Sequence, residues 1–260
     1  MIKLMGRTQP LERYPALEAL EVIKRLGFDG VEVCLETAEM APDGLGNAMV
    51  ATVRERIEAL GLAPHSVGYH KDYIYDDDEF ARTCRAIELT PAFGAKLFVF
   101  SGTPKRTGDA AEWQRMVART AKLLNLAEKH GVILAQEFEP GFIVGSTEEL
   151  LRLFAELPSP RMAANVDLGH LFLCDPDPIA SIAAIGDKAV HGHVENMAAG
   201  VHDHLLPSEG DMDLGAYIQA LHHIGFDGGL ALDLYTHDYE AVAPGEIAYL
   251  RGLIAAAKGR

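Results

Sequence analysis

The sequence predicts an α/β protein that forms one closed (β/α)8 TIM barrel over residues 1–260. Short apolar segments of strand length alternate eight times with longer amphipathic segments, and no linker or low-complexity stretch divides the chain. A glycine ends several of the amphipathic segments just before the next strand, at Gly27, Gly61, Gly131 and Gly225. Glycine there adopts the left-handed conformation that ends a helix. Eight such units in about 250 residues are typical of a TIM barrel.

The eight strands are predicted near residues 2–5, 30–35, 63–68, 96–101, 131–137, 162–167, 188–194 and 229–234. The helices are predicted near residues 14–26, 47–60, 77–93, 109–130, 147–156, 176–185, 213–224 and 240–258. Because a helix separates each strand from the next, the connections cross over and the strands run parallel. A doubly wound open sheet is the alternative, but no Gly-x-Gly-x-x-Gly turn follows the first strand.

Composition limits the classes of function. The net charge of −15 argues against a nucleic-acid-binding surface, which needs clustered Lys and Arg. No apolar run approaches the roughly 20 residues of a membrane span, and the first residues build no signal-peptide core, so we expect a cytoplasmic protein without membrane contact. Cys34, Cys84 and Cys174 are widely spaced and odd in number, which predicts free buried thiols.

Four polar residues each end one of the last four predicted strands: Glu137, Asp167, His193 and Asp233. Since the carboxyl ends of parallel strands meet at one end of a barrel, these side chains should converge. Three carboxylates and one imidazole suit one divalent ion, with Mn²⁺ favoured and Mg²⁺, Co²⁺ or Zn²⁺ as alternatives. Any one of them alone could be a helix cap or a core group, so the hypothesis depends on the combination.

Residues of the first half are less informative. His65, in the third strand, is a candidate substrate-binding residue, and His70, Lys71 and Asp72 follow it. These four residues line the pocket or form an ordinary polar loop. Glu32 is interpreted as a buried structural carboxylate, since strand alternation pairs it with Cys34 and Glu36.

The second half of the chain carries five motifs that resemble a known family: 134–137 (LAQE), 166–170 (VDLGH), 191–195 (HGHVE), 202–213 (HDHLLPSEGDMD) and 225–235 (GFDGGLALDLY). With them the chain resembles the xylose isomerase-like barrel superfamily, specifically the sugar isomerases and epimerases related to D-tagatose 3-epimerase. In such epimerases Glu, Asp, His and Glu on the last four strands hold the metal. Asp233 departs from this pattern, because its side chain is one methylene, roughly 1.5 Å, shorter than Glu.

The resemblance implies a metal-dependent sugar isomerase or epimerase that acts on a small keto-sugar. Glu137 and Asp233 would transfer a carbon-bound proton on opposite faces of a metal-stabilised enediolate. The resemblance implies that His170 contacts substrate hydroxyls and that His202 and His204 bind the sugar or close over it. Glu195 would touch substrate or sit behind His193. Related barrels commonly form homo-oligomers, and we expect one here.

Three alternatives stay open. A lyase on the same scaffold, such as an inosose or dehydroshikimate dehydratase or a C-glycoside deglycosidase, also begins with proton abstraction beside a carbonyl and then loses a leaving group. A non-catalytic sugar- or metal-binding module would not need two bases. The resemblance extends more distantly to endonuclease IV, a DNA-repair enzyme, but the extra histidines it needs after the third and fourth strands are absent from 66–69 and 98–101.

Overall fold

Eight parallel strands close into a barrel in the computed structural model, which describes residues 1–259, and the predicted fold is confirmed. Each strand pairs with the next along the chain, and β8 pairs with β1 from Lys3 opposite Gly229. The strands are β1 (Lys3–Arg7), β2 (Gly30–Cys34), β3 (Ala63–Gly68), β4 (Leu97–Phe100), β5 (Ile133–Gln136), β6 (Met162–Asp167), β7 (Ala189–Val194) and β8 (Gly229–Leu232). All eight overlap their predicted positions.

The α-helices that the structure describes are α1 (Ala16–Leu26), α2 (Asn47–Ala59), α3 (Asp77–Leu89), α4 (Ala110–His130), α5 (Thr147–Glu156), α6 (Leu168–Cys174), α7 (Pro178–Ile185), α8 (Leu214–His223) and α9 (Tyr239–Lys258). Helix α6 was not predicted. It starts directly after β6, where the side chain of Asp167 accepts a hydrogen bond from the backbone N–H of His170 at 2.7 Å. Gly27 and Gly131 end α1 and α4 at φ of 93° and 71°, as predicted for left-handed caps.

The interior of the barrel is polar. His191 on β7 contacts Glu32 on β2 and Ser66 on β3, at 3.1 and 3.0 Å from its Nε2, and its Nδ1 lies 2.7 Å from Asn165 Oδ1 on β6. Because β2 and β7 are not neighbours, these contacts cross the inside of the barrel. The apolar core lies instead between the sheet and the helices. The charged groups are therefore buried beneath the carboxyl-terminal mouth.

The structure bears on two further predictions, one about the cysteines and one about membrane spans. None of the three cysteines forms a disulfide; Cys34 is buried, whereas Cys84 and Cys174 are only partly buried, so the prediction of buried thiols was wrong for the last two. Among residues 1–259, no helix combines the length and the apolar character needed to cross a membrane.

Candidate metal centre and active site

Three of the four predicted ligands form one cluster at the carboxyl end of the barrel, and the fourth, Asp233, lies beside His193 but groups with Glu195 and His204. Glu137, Asp167 and His193 offer one donor atom each within 4.8 Å of one another, and all three are buried. Asp233 Oδ2 lies 3.8 Å from His193 Nδ1. The strand ladder continues one residue past β5 and β8, because Glu137 N donates to Phe100 O at 2.9 Å and Asp233 N to Val194 O at 3.1 Å. Backbone pairing thus fixes where both side chains start.

The two nitrogens of the His193 imidazole face different carboxylates. Nδ1 lies 3.1 Å from Glu137 Oε2 and 3.7 Å from Asp167 Oδ2, whereas Nε2 lies 3.3 Å from Glu32 Oε1. Burial and Arg7 act to lower the pKa of His193, but Glu137 and Glu32 raise it well above its usual value. A buried carboxylate that holds the far nitrogen of a metal-binding histidine is a common arrangement, because it fixes the tautomer and orientation of the ring.

The donor set fits a divalent cation. Asp167 Oδ2 is buried and accepts no hydrogen bond from the described residues, while Oδ1 caps α6. A buried carboxylate oxygen without a partner costs about 1–3 kcal/mol of folding free energy, and a cation bound to it would offset that cost. Carboxylate oxygens with one imidazole suit Mn²⁺ or Mg²⁺. The ligand atoms would be Glu137 Oε, Asp167 Oδ2, His193 Nδ1 and Asp233 Oδ2.

Three predicted substrate-binding histidines line the cavity at this mouth, whose volume is ~360 Å³. His170 Nδ1 donates to Phe138 O at 2.9 Å, and His204 Nδ1 donates to Asp233 O, also at 2.9 Å. His170 Nε2 lies 3.1 Å from His202 Nε2. Burial acts to lower the pKa of His170, but Asp167 and Glu137 raise it to about 9. The backbone carbonyls therefore orient two of the rings and leave their Nε2 atoms for other partners.

Two predicted substrate-binding residues lie elsewhere, which corrects the sequence interpretation. Glu195 is fully buried outside the cavity lining, where its Oε1 accepts from Gly169 N at 2.8 Å. Burial and the nearby Asp167 raise its pKa well above the usual value. His193 is instead oriented by Glu32. His65 is near the amino end of β3, and its Nε2 accepts from Gly229 N at 3.0 Å, at the opposite end of the barrel from Asp233.

Sequence reasoning missed Arg7 among the cavity residues of the first half of the barrel. His70, Lys71 and Asp72 line the cavity, which is the first of the two alternatives that the sequence left open for them. Arg7 ends β1, and its Nε donates to Glu32 Oε1 at 2.9 Å while Nη1 forms an ion pair with Asp233. His70 Nδ1 lies 3.0 Å from Glu36 Oε1, and its Nε2 lies 3.3 Å from Glu137 Oε2. The available signal for Arg7 was its place at a strand end, the same rule that found the four predicted ligands.

The cavity also exposes a carboxylate that belongs to no ion pair among the described residues, that of Glu139 on the loop after β5. Burial and the neighbouring Glu137 raise its pKa to about 7. Tyr235, half exposed at 49%, stands at the rim above His204, with ring centroids 4.6 Å apart. Polar side chains outnumber apolar ones in the cavity lining, so a bound ligand would meet many hydrogen-bonding groups.

Comparisons with known proteins agree with this geometry. The chain is 23% identical over 241 residues to fructoselysine 3-epimerase of Shigella flexneri, covering 86% of this chain and 87% of that protein. Its fold is similar to a structure from Bacillus anthracis described as the probable 3-DHS dehydratase AsbF, with a TM-score of 0.83 and 15% identity over 96% and 99% of the two chains.

A third comparison concerns a metal. A xylose isomerase-like TIM barrel protein from Mycobacterium smegmatis, solved in complex with magnesium, has a TM-score of 0.80 and 18% identity over 99% and 98% of the two chains. The family model described as xylose isomerase-like TIM barrel matches residues 20–253. That match covers most of the chain, and the protein belongs to the xylose isomerase-like TIM barrel family.

Proposed function

We propose that the protein is a divalent-metal-dependent isomerase or epimerase of a small keto-sugar, with Glu137 as the principal base. The observation that carries the proposal is the environment of Glu137. Its Oε2 accepts from Asn165 Nδ2 at 2.6 Å, whereas Oε1 accepts no hydrogen bond from the described residues. His170 Nδ1 is 3.3 Å from Oε1, but its proton goes to Phe138 O. One carboxylate oxygen is thus fixed and the other is available in the cavity.

Glu137, Asp167, His193 and Asp233 would hold the metal, for which Mn²⁺ is our first choice and Mg²⁺ the second. When bound, the ion would stabilise the negative charge that develops on the oxygens of a keto-sugar as it loses a carbon-bound proton. Glu137 would accept that proton and return it. His193 and His170 lower the pKa of Glu137 against the effect of burial, so the carboxylate is ionised at neutral pH.

Substrate hydroxyls would be bound by the three histidines that line the cavity. The Nδ1 atoms of His170 and His204 are engaged by backbone carbonyls, and the Nε2 atoms of His170 and His202 contact each other at 3.1 Å, a contact that a sugar hydroxyl would replace. Because the rings of His170 and His204 are held by the backbone, they would orient the sugar at little cost in entropy. The sugar-epimerase relative and the polar lining of the cavity both support a carbohydrate substrate.

The decisive experiment incubates Mn²⁺-loaded protein with a panel of ketoses in D₂O and follows loss of carbon-bound protons by NMR. We expect exchange with at least one ketose, and its loss after chelation followed by recovery when Mn²⁺ is added. Protein with confirmed metal occupancy that exchanges no proton in any ketose would contradict the proposal. Full exchange in rigorously metal-free protein would contradict the role of the metal.

A lyase is the second candidate, and one observation favours it. Elimination needs one base and a leaving group, and Asp233, the expected second base, forms an ion pair with Arg7. The fold similarity to a dehydratase is compatible with this reading. Mass spectrometry separates the candidates. The product of an isomerase or epimerase has the same mass as the substrate, whereas the product of a dehydratase is lighter by one water molecule.

A further inference from the structure

Arg7 is a buried, positively charged residue in the cavity lining. It ends β1, its side chain is only 3% exposed, and it contacts two carboxylates from different strands. Its Nε donates to Glu32 Oε1 at 2.9 Å, and its Nη1 forms an ion pair with Asp233 Oδ1. A guanidinium is planar, permanently charged and forked, so it can hold two carboxylates in one fixed arrangement. Arg7 therefore connects Asp233 to Glu32, the residue that orients His193.

The strand register explains why Arg7 meets Asp233. Lys3 pairs with Gly229 and Met5 with Ala231 on the neighbouring strands β1 and β8. Two residues further along each chain, Arg7 and Asp233 lie level with each other. Side chains on a strand alternate, so both point to the same side as Met5 and Ala231. Backbone pairing thus sets the Arg7–Asp233 contact.

The two oxygens of Asp233 have different surroundings. Oδ1 forms an ion pair with Arg7 Nη1 and accepts no hydrogen bond from the described residues, while Oδ2 lies 3.8 Å from His193 Nδ1 and 3.8 Å from His204 Nδ1. A carboxylate that binds a metal through one oxygen can act as a base only if its other oxygen is free. We propose that Arg7 is a positioning residue that fixes Asp233 as a one-oxygen metal ligand and keeps its other oxygen out of proton transfer. This inference rests on the proposed function.

The carboxylates of Glu137 and Asp233 differ in whether an oxygen remains available to act as a base. Glu137 keeps Oε1 free of hydrogen bonds from the described residues. In Asp233, Oδ2 is the proposed metal ligand and Oδ1 is paired with Arg7, so no oxygen is left for a second base. Glu137 takes the proton from a carbon beside the carbonyl and returns it from the same side to that carbon or to its neighbour. In isomerisation the hydroxyl proton moves to the former carbonyl oxygen and all atoms are conserved. In elimination Glu137 gives the proton to the departing hydroxyl, which leaves as one water molecule, and neither route needs an oxidant or reductant. The site is thus built for one-base isomerisation or elimination, and not for epimerisation by two opposed carboxylates.

The positioning role is tested with the metal alone. Mn²⁺ affinity is measured by EPR titration for wild type, Arg7→Gln and, as a matched control, Arg13→Gln, whose arginine pairs with Glu240 on the exposed surface. Loss of a residue that orients a ligand costs about 10–100-fold in affinity, and we expect that loss in Arg7→Gln only. Tighter Mn²⁺ binding in Arg7→Gln would show that Arg7 only repels the cation, and unchanged binding would show that it does not position Asp233. Either result would overturn the proposal.

A double-mutant cycle shows whether Arg7 acts through Asp233. In an Asp233→Asn background, Arg7→Gln should change Mn²⁺ affinity by less than about threefold, since the group that it positions is already altered. Equal losses in both backgrounds would overturn the role through Asp233. Circular dichroism and thermal unfolding check that each variant is folded. Should Arg7→Gln fail to fold, Arg7→Lys, which keeps the charge but lacks the fork, replaces it with the same expectation.

Stereochemistry in D₂O tests the consequence. With one base, deuterium should enter the recovered ketose faster than an epimer appears. Deuterium found only in an epimer, with none in the recovered ketose, would overturn the one-base assignment. Absence of all exchange in every ketose would instead contradict the proposed function, while the Mn²⁺ titration, which needs no substrate, still decides the positioning role of Arg7.

Discussion

The two halves of the barrel contribute differently to the candidate site. Strands β5 to β8 supply the four predicted metal ligands, whereas β1 and β2 supply groups that hold them, Arg7 on Asp233 and Glu32 on His193. The difference teaches that a ligand set alone does not define a metal site. The charges that orient Asp233 and His193 come from residues far away in sequence. Arg7 lies on β1, which is next to β8 in the closed barrel, and Glu32 on β2 reaches His193 across the interior.

The largest expected effect tests the second half. Glu137→Gln keeps the shape of the side chain but removes its basic oxygen, so turnover of the responsive ketose should fall by about 10² or more. The measurement is proton exchange in D₂O at confirmed metal occupancy. Glu58→Gln, at an exposed carboxylate paired with Arg54, is the matched control and should behave as wild type. Near-normal exchange in Glu137→Gln would move the base elsewhere.

Asp167→Ala should act on binding of the metal. It removes a ligand without removing the proposed base, so Mn²⁺ affinity should fall by about 100-fold or more, beyond the usual effect of an orienting residue. Isothermal calorimetry or EPR titration measures it. Because Asp167 also caps α6, thermal unfolding must show that the variant is folded. Wild-type Mn²⁺ affinity in a folded variant would remove Asp167 from the ligand set.

Glu32→Gln tests the first half. The amide no longer gives His193 Nε2 and Arg7 a negative partner, so Mn²⁺ affinity should fall by about 10–100-fold. The free energy of unfolding should fall by about 2–3 kcal/mol, since charged hydrogen bonds in a buried network are lost. Chemical denaturation measures the second effect. If both quantities stay at wild-type values, the first half is only a scaffold.

The smallest effect concerns His65, at the amino end of the barrel. Burial and the neighbouring His191 lower its pKa to about 3, so the folded protein keeps it neutral. Since the unfolded chain takes up a proton near pH 6.5, stability from this group is complete above that pH and is lost as pH falls toward 3. The loss should approach ~1.4 kcal/mol per pH unit, the limit for one proton.

His65→Gln should flatten that pH dependence between pH 6.5 and 4.5, measured by denaturant unfolding of metal-free protein. Because His65 lies away from the cavity, the variant should keep wild-type Mn²⁺ affinity at pH 7.5. A reduced affinity would show that the amino end of the barrel also contributes to the site.

Sequence reasoning placed four polar side chains at the carboxyl end of the barrel correctly, and their role as metal ligands stays a prediction. Each of Glu137, Asp167, His193 and Asp233 follows an apolar strand, and a barrel brings such positions together whatever the loops do. It failed for His65 and Glu195, because strand alternation gives the face of a residue but not its depth along the barrel or its final partner. It also missed Arg7, since a single arginine at the end of β1 carries no motif of its own.

The sequence by itself determined the barrel, the order of its strands and the residue types at its carboxyl-terminal mouth, because periodicity, strand spacing and glycine caps are local properties. Only the tertiary structure decided which partner each charge meets: Arg7 with Asp233, Glu32 with His193, Glu195 with Gly169. The residues in these contacts are separated by 26 positions for Gly169 and Glu195 and by 226 positions for Arg7 and Asp233. Their geometry depends on barrel closure and register, which no local pattern encodes.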